Sequence, residues 1–310
     1  MQLVQTTRDA LLKPLSTVAG IVERRHTLPI LANILMRKEG NKVAFIATDL
    51  EVQITTHADF GVGHDNESTT VAARKLLDIL KALPDTGDVR LALASNKLSV
   101  QSAKSRFALQ TLAASEFPTV AQPEQWDVSL TMPQRTLRHL FNMVHFAMAQ
   151  QDIRYYLNGM LLVFEPGRVR AVATDGHRLA RADVDAPSGS EGMPGIIIPR
   201  KTVGELQKLM DNPELEVTVE VSDAKIRLTI GSVVLTSKLI DGTFPDYQRV
   251  IPTGNDKEMR VDCQTFAQAV DRVSTISSER GRAVKLALTN GQLTLTVNNP
   301  DSGSATEEVA

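Results

Sequence analysis

A four-residue phrase recurs in this chain at domain-sized intervals. Ile46-Ala47-Thr48-Asp49 returns as Val172-Ala173-Thr174-Asp175 and, more loosely, as Thr296-Val297-Asn298-Asn299. Asp49 and Asp175 are 126 residues apart, and Asn299 follows after another 124. A period this long exceeds that of any solenoid repeat, so the chain reads as one domain used three times. Each phrase closes a short alternating strand that starts after a turn glycine: Gly40 before Val43 and Phe45, Gly167 before Val169, Gly291 before Leu293, Leu295 and Val297. The pair Asn290-Gly291 is a hairpin signal.

Helical periodicity frames each phrase. In the second copy Leu137, Leu140, Phe141, Val144 and Met148 fall on one apolar stripe. Leu11, Leu12, Leu15, Val18 and Val22 do the same in the first copy, where Pro14 is expected to kink or delay the helix. Phe266, Ala269, Val270 and Val273 serve in the third. A second helix is expected from Arg74 to Leu83 and from Arg200 to Met210, each followed by alternating strands. Helix, strands, helix, strands with short turns implies an α+β domain in which two helices pack on antiparallel sheets. The boundaries are set at 1–124, 125–251 and 252–310. Only 11 residues follow Asn299, so the third copy is expected to be incomplete, short of the second by about 60 residues, with Asp301 to Ala310 frayed.

Composition excludes more than it selects. A hydrophobic share of 42% beside 23% charged residues suits a globular chain rather than a disordered one. No apolar run is long enough to span a bilayer, the N-terminus lacks a signal pattern, and the lone Cys263 rules out an internal disulfide framework. The chain therefore reads as cytoplasmic, with Cys263 a small apolar filler. A net charge of −2 is unhelpful for a nucleic-acid binder only if charge is spread evenly.

Enzymatic signatures fail. Gly61-Val62-Gly63 lacks a following Lys-Ser or helix start, so no phosphate-binding loop is present. Asp175-Gly176-His177 invites a catalytic or metal reading, yet no nucleophile elbow accompanies it and the histidines lack ligand spacing. A turn with a surface His177 is the plainer account. Asp49 and Glu51 are expected on one solvated strand face beside Gln53. No metal or cofactor is assigned.

Basic residues gather on the helices. Arg135, Arg138 and Asn142 lie opposite the second-copy stripe; Arg200, Lys201 and Lys208 belong to the helix after Pro199, and Arg74, Lys75 and Lys81 to its first-copy counterpart. Arg8, Lys13, Arg24 and Arg25 lie in or just after the first helix. Such faces are either mixed and solvated or a concave lining that meets phosphates without reading bases. Leu157, Thr174, His177, Arg178, Leu179, Phe244, Pro245, Arg249 and Val250 form a second cluster, readable as a groove for an extended peptide or as a domain-packing surface.

Several phrases carry a resemblance. Thr27-Leu28-Pro29-Ile30-Leu31, the run Gln151 to Met160 (QDIRYYLNGM), the run Ala173 to Ala180 (ATDGHRLA) and Asp241 to Tyr247 (DGTFPDY) resemble the bacterial sliding clamps, the beta subunits of DNA polymerase III, along the whole chain. The resemblance implies the DNA-clamp fold and a head-to-tail homodimeric ring around duplex DNA, helices lining the hole. It implies DNA-facing roles for Arg25, Arg74, Gln151, Tyr155, Tyr156, Arg200 and Lys201. It implies a partner groove at Arg154, Leu157, Thr174, Gly176, His177, Arg178, Leu179, Pro245, Arg249 and Val250. This groove would take short motifs from the polymerase III alpha subunit, the clamp loader, other polymerases and repair proteins. The family's dimer contact matches Lys75, Lys104, Arg106, Phe107 and Leu109 in the first copy. On the third copy Thr275 and Ile276 stand where the family often has two aliphatics, which implies a weaker contact. The implied mechanism is topological: a ring tethers without tight or sequence-specific contacts, and a separate loader using ATP would open it. The expectation for the 310-residue chain itself is a monomer, its third domain presenting an unpaired sheet edge. Alternatives are an enzyme using Asp175 and His177 and a monomeric peptide-binding scaffold.

Overall fold

The computed structural model describes residues 1–23, 28–85, 87–187, 190, 193, 195–278, 282–289 and 291–309. The first copy holds β1 Gln2–Thr7, α1 Arg8–Ala19, β2 Asn33–Glu39, β3 Lys42–Thr48, β4 Val52–Ala58, β5 Glu67–Ala72, α2 Ala73–Ala82, β6 Asp88–Ala94, β7 Lys97–Ser102 and β8 Ser105–Leu112. The second holds β9 Val128–Pro133, α3 Gln134–Val144, β10 Gly159–Glu165, β11 Arg168–Thr174, β12 Leu179–Asp185, β13 Ile196–Pro199, α4 Arg200–Leu209, β14 Glu216–Val221, β15 Lys225–Ile230 and β16 Val233–Lys238. The third holds α5 Cys263–Ser274, β17 Lys285–Thr289, β18 Gln292–Asn299 and β19 Gly303–Val309.

The chain divides into two compact units, Met1–Pro245 and Asp246–Ala310. In the first, antiparallel pairing joins the first two copies: β4 pairs with β16 from Val52↔Ser237 to Thr56↔Val233. A single sheet of 12 strands results, in the order β1-β6-β7-β8-β5-β2-β3-β4-β16-β15-β14-β9. The edge that each copy would expose at this seam is thereby closed. A four-stranded sheet, β12-β11-β10-β13, completes the second copy.

The apolar stripes predicted from periodicity are the buried faces. Leu11, Leu15 and Val18 of α1, Leu76 and Leu80 of α2, and Leu137, Leu140, Phe141 and Val144 of α3 all enter one continuous core with the sheet residues. Each large aliphatic so buried contributes roughly 1.5–3 kcal/mol. Pro14 neither delays nor breaks α1, which runs through it to Ala19. The Pro14 carbonyl instead accepts the Thr56 hydroxyl at 3.4 Å from β4. The ring lacks only the N–H that would have bonded the Ala10 carbonyl, and packing of the stripe outweighs that loss.

In the second unit α5 packs Ala269 and Val273 on Leu293, Leu295 and Val297 of a three-stranded sheet, β17-β18-β19. The stretch expected to fray pairs instead: Gly303–Val309 runs along β18 and buries Val309. Cys263, expected as apolar filler, is exposed at the first position of α5. Asp262 caps that helix by accepting from the Thr265 backbone N–H at 2.8 Å, which places Cys263 at its first position.

Candidate DNA-facing and partner-facing surfaces

The repeated phrase is a turn. Thr48 Oγ1 accepts from Leu50 N at 3.0 Å and donates to Val52 O at 2.8 Å, while Asp49 Oδ1 accepts from Glu51 N and Val52 N at 2.9 and 2.7 Å. The second copy repeats these bonds at Thr174 and Asp175. Thr174 Oγ1 takes Gly176 N at 3.1 Å and gives to Arg178 O at 2.8 Å; Asp175 Oδ1 takes His177 N and Arg178 N, both at 2.9 Å. The residue after each aspartate has positive φ, 81° at Leu50 and 87° at Gly176. Asn299 holds the third turn by accepting from Asp301 N at 3.1 Å. Side-chain oxygens that cap their own following N–H groups favour this geometry, which is why Thr-Asp recurs. Asp49 and Glu51 thus leave the expected strand face. Asp49 is a nearly buried turn carboxylate, and Gln53 accepts from Val120 N at 2.9 Å.

Around the second-copy turn sit most of the groove residues implied by resemblance. Asp175 Oδ2 binds Arg178 Nε at 3.0 Å, and Arg178 lies over the half-exposed Phe146 ring at 5.8 Å. Arg154 donates from Nη2 to Asp175 O at 3.3 Å and forks onto Asp152 through Nε and Nη2 at 3.0 and 2.8 Å. That fork, with a backbone N–H from Arg154, holds the Asp152 carboxyl down at about 2. Asp175 is also held below the usual carboxylate range: burial pushes it up, but N–H groups of Arg178 and His177 and the Arg178 side chain outweigh that. Both carboxylates are taken up by arginine side chains and backbone N–H donors, and His177 is exposed. Leu157 and Thr174 are buried and support the wall from behind, Leu179 is half-buried, and Gly176 lets Arg154 approach: a Cβ there would meet its guanidinium at 3.0 Å. Pro245 ends the first unit; Arg249, paired with Asp246 at 2.7 Å, and the exposed Val250 belong to the second. Phe146 escaped the periodicity reading because it lies off the stripe of Leu137 to Met148, and that displacement is its only sequence signal.

The implied DNA-facing residues divide. Gln151 is exposed with φ 56°, Tyr155 is 57% exposed, and Tyr155 and Tyr156 stack edge to face at 5.8 Å. Arg74 is exposed on α2. Gln151, Arg200 and Lys201 line one open cavity of about 730 Å³. Arg200, however, binds the Met148 carbonyl at 2.9 Å, and Lys201 is held by Glu23 and Asp49. Arg25 lies outside the described residues, as do Arg24, Thr27 and Asn290. Arg8 is not a free cation either: it binds Leu80 O at 2.9 Å and pairs with Asp9 and Asp85. Arg135 and Arg138 are exposed on α3 as expected, Arg135 facing Glu214 at 3.6 Å, while Asn142 receives Gln207 at 2.7 Å.

Among the implied dimer residues, Phe107 is 36% exposed on β8 opposite Val100, and Lys75, Lys104 and Arg106 are exposed. On its other side β8 meets β5 at Leu112 and Thr111, and among the described residues Ser105–Gln110 has no second strand. Leu109 is half-buried against the core. In the second unit Thr275 caps α5, its hydroxyl on Arg272 O at 2.8 Å, and Ile276 is half-buried beside it.

Family models match the chain in three parts: the N-terminal, central and C-terminal domains of the DNA polymerase III beta subunit, over residues 1–121, 131–246 and 248–310. The chain belongs to the DNA polymerase III beta subunit family. A beta sliding clamp of Pseudomonas putida is 45% identical over 305 residues, covering 98% of this chain and 82% of that one. A crystal structure of the DNA polymerase sliding clamp from Pseudomonas aeruginosa superposes with a TM-score of 0.94 at 43% identity, over 100% of this chain and 84% of that one. The sliding clamp of Bartonella birtlesii bound to griselimycin superposes at 0.95 with 46% identity, again over 100% and 84%. The protein has the α+β DNA-clamp fold and is a DNA polymerase processivity factor, not an enzyme. No helix among the described residues is long and apolar enough to cross a membrane.

Proposed function

We propose that the chain works in the cytoplasm as a protomer of a ring that slides on double-stranded DNA, with domains at 1–124, 125–251 and 252–310. The observation that carries the DNA reading is the largely exposed Gln151–Tyr156 loop beside the α4 cavity: polar and aromatic groups, with the guanidiniums of Arg154 and Arg200 each already engaged, rather than a dense basic patch. Such a surface suits weak phosphate contact without base readout, which sliding requires. Arg25, Arg74, Gln151, Tyr155 and Tyr156 are the DNA-facing residues in this reading, Arg200 orienting the loop through Met148. The test is retention on duplex DNA as salt is raised. Binding should weaken steeply between about 50 and 200 mM salt and show no sequence preference; salt-independent or sequence-specific binding would overturn it.

The turn at Thr174–Leu179 is, in the same reading, one wall of the groove for the polymerase alpha subunit, the clamp loader, other polymerases and repair proteins. His177, Arg178 and Leu179 meet the peptide while Arg154 holds the turn. A polymerase held by such a peptide gains effective concentration at the primer end without needing tight DNA contact. Titration of a labelled Gln-x-x-Leu-x-Phe peptide should give binding that Leu179→Asp weakens at least tenfold; unchanged affinity would place the peptide elsewhere. Closure of the ring is assigned to the open β8 edge, with Phe107 as its apolar anchor, and to Thr275 and Ile276 of a second copy.

A further inference from the structure

Lys201 stands in the first turn of α4 in the second copy, yet its ammonium lies between two carboxylates of the first: Glu23 Oε1 at 2.5 Å and Asp49 Oδ2. Asp49 is the turn aspartate, its side chain only 9% exposed, and its other oxygen already holds the 49–52 turn. The same turn is tied to the second copy a second time, because Glu51 pairs with Lys238 at 3.0 Å at the end of β16. Farther along α4, Glu205 is buried so close to the end of α1 that a Cβ on Gly20 would lie 3.2 Å from its carboxylate, and Lys208 balances that charge at 2.8 Å. Glu23, Asp49, Glu51, Lys201 and Lys238 line a cavity of about 570 Å³ together with apolar side chains such as Leu50 and Ile240. We propose that Lys201 is a positioning residue that braces the first copy's 49–52 turn and the end of its α1 region to α4 of the second copy, and is not a phosphate ligand.

The physical case is one of competition. A phosphate would have to draw the ammonium from two carboxylates already in contact, one of them nearly buried, and would leave Asp49 without its cation. Burial disfavours the charged lysine, but the hydrogen bonds to Asp49 and Glu23 more than compensate, so it stays protonated beyond the usual lysine range. The brace matters to sliding because it helps set how the first copy's Arg74 stands relative to the second copy's 151–156 loop. This inference rests on the DNA-facing reading only for that consequence.

Lys201→Gln, Asp49→Asn, the double variant and Lys201→Arg, each in the full chain, test it by thermal melting and by duplex-DNA anisotropy over a salt series. Asparagine keeps the turn-capping oxygen and removes only the charge. Each single neutralisation should lower the melting temperature by ~2–4 °C, the double variant no further than the worse single, and Lys201→Arg should restore most of the loss. The slope of log affinity against log salt should be the same for Lys201→Gln as for the unmodified chain. A slope reduced by about 0.9, the value of one lost phosphate contact, would overturn the proposal. So would Asp49→Asn binding DNA several-fold tighter, as a released phosphate ligand requires, or melting shifts that simply add. If the unmodified chain bound no duplex, the DNA-facing reading would fall and the melting cycle alone would decide the brace. If Lys201→Gln did not fold, Asp49→Asn binding and the Lys201→Arg melt would decide it.

Discussion

Leu50 and Gly176 occupy one position of one turn, and only one of them suits it. A leucine at φ 81° carries the left-handed penalty of about 1–2 kcal/mol, whereas Gly176 at 87° does not. Leu50 is also 38% exposed and borders a cavity rather than the core clusters, so its removal forfeits only part of a leucine's burial. Leu50→Gly should therefore raise stability by ~0.5–1 kcal/mol, and Gly176→Ala should lower it by about 1 kcal/mol or more while displacing Arg154. Urea melts of both variants check the opposite signs. The Asp152–Arg154 fork makes a pH prediction. Because the folded carboxyl is held at about 2, well below the unfolded value of about 3.9, its contribution is complete above about pH 5. It should disappear as the pH falls through 2, seen by NMR as protonation of Asp152 with loss of the Arg154 contact; titration at the unperturbed value would refute the fork.

At the scale of elements, the segment joining the first two copies is fastened along its length. Lys225 donates to Ala121 O at 2.5 Å, Gln53 takes Val120 N, and Arg227 stacks over the Trp126 ring at 4.5 Å while forking onto Glu220 at 2.6 Å. Cation–π and charge-assisted bonds of this kind are worth on the order of 1–2 kcal/mol together. Arg227→Ala should cost about that much and shift emission of the lone Trp126 to the red, since the indole loses its cover. Unchanged emission would mean that Arg227 does not cover the ring. The β8 edge carries another expectation. Among the described residues its Ser105–Gln110 stretch has a strand on one side only; Lys104 precedes it, Arg106 lies within it, and Phe107 is exposed on it. Charged flanks discourage indiscriminate edge pairing, so such an edge suits one specific partner strand.

For the whole molecule, self-association should depend on that edge. In a form of the protein that dimerises, Phe107→Ala should move sedimentation toward the monomer and leave the melting temperature of the first unit nearly unchanged, because Phe107 is outside the core; an unaltered sedimentation profile would remove it from the contact. The second unit presents a different surface. β17 pairs only with β18, and its Leu286 and Leu288 are about half exposed.

Periodicity and repetition were local properties, and they carried far. Stripes at helical spacing named the buried faces of α1, α3 and α5, turn glycines marked the hairpins, and the recurring Thr-Asp named a turn that caps itself through bonds spanning only four residues. Interactions of that range are written in adjacent residues. What the sequence alone left open depends on residues far apart. Asp49 and Lys201 stand 152 positions apart, so neither residue's neighbours show that the aspartate is nearly buried or that the lysine is already paired. Likewise, β4 and β16 each alternate like any edge strand, and only assembly joins them into one sheet. Arg8 and Arg200 read as free cations on helices until the carbonyls of Leu80 and Met148 come within reach. Charge is visible in a sequence, but whether it faces solvent or a buried acceptor is decided when distant segments pack, because desolvation and pairing are properties of that packing.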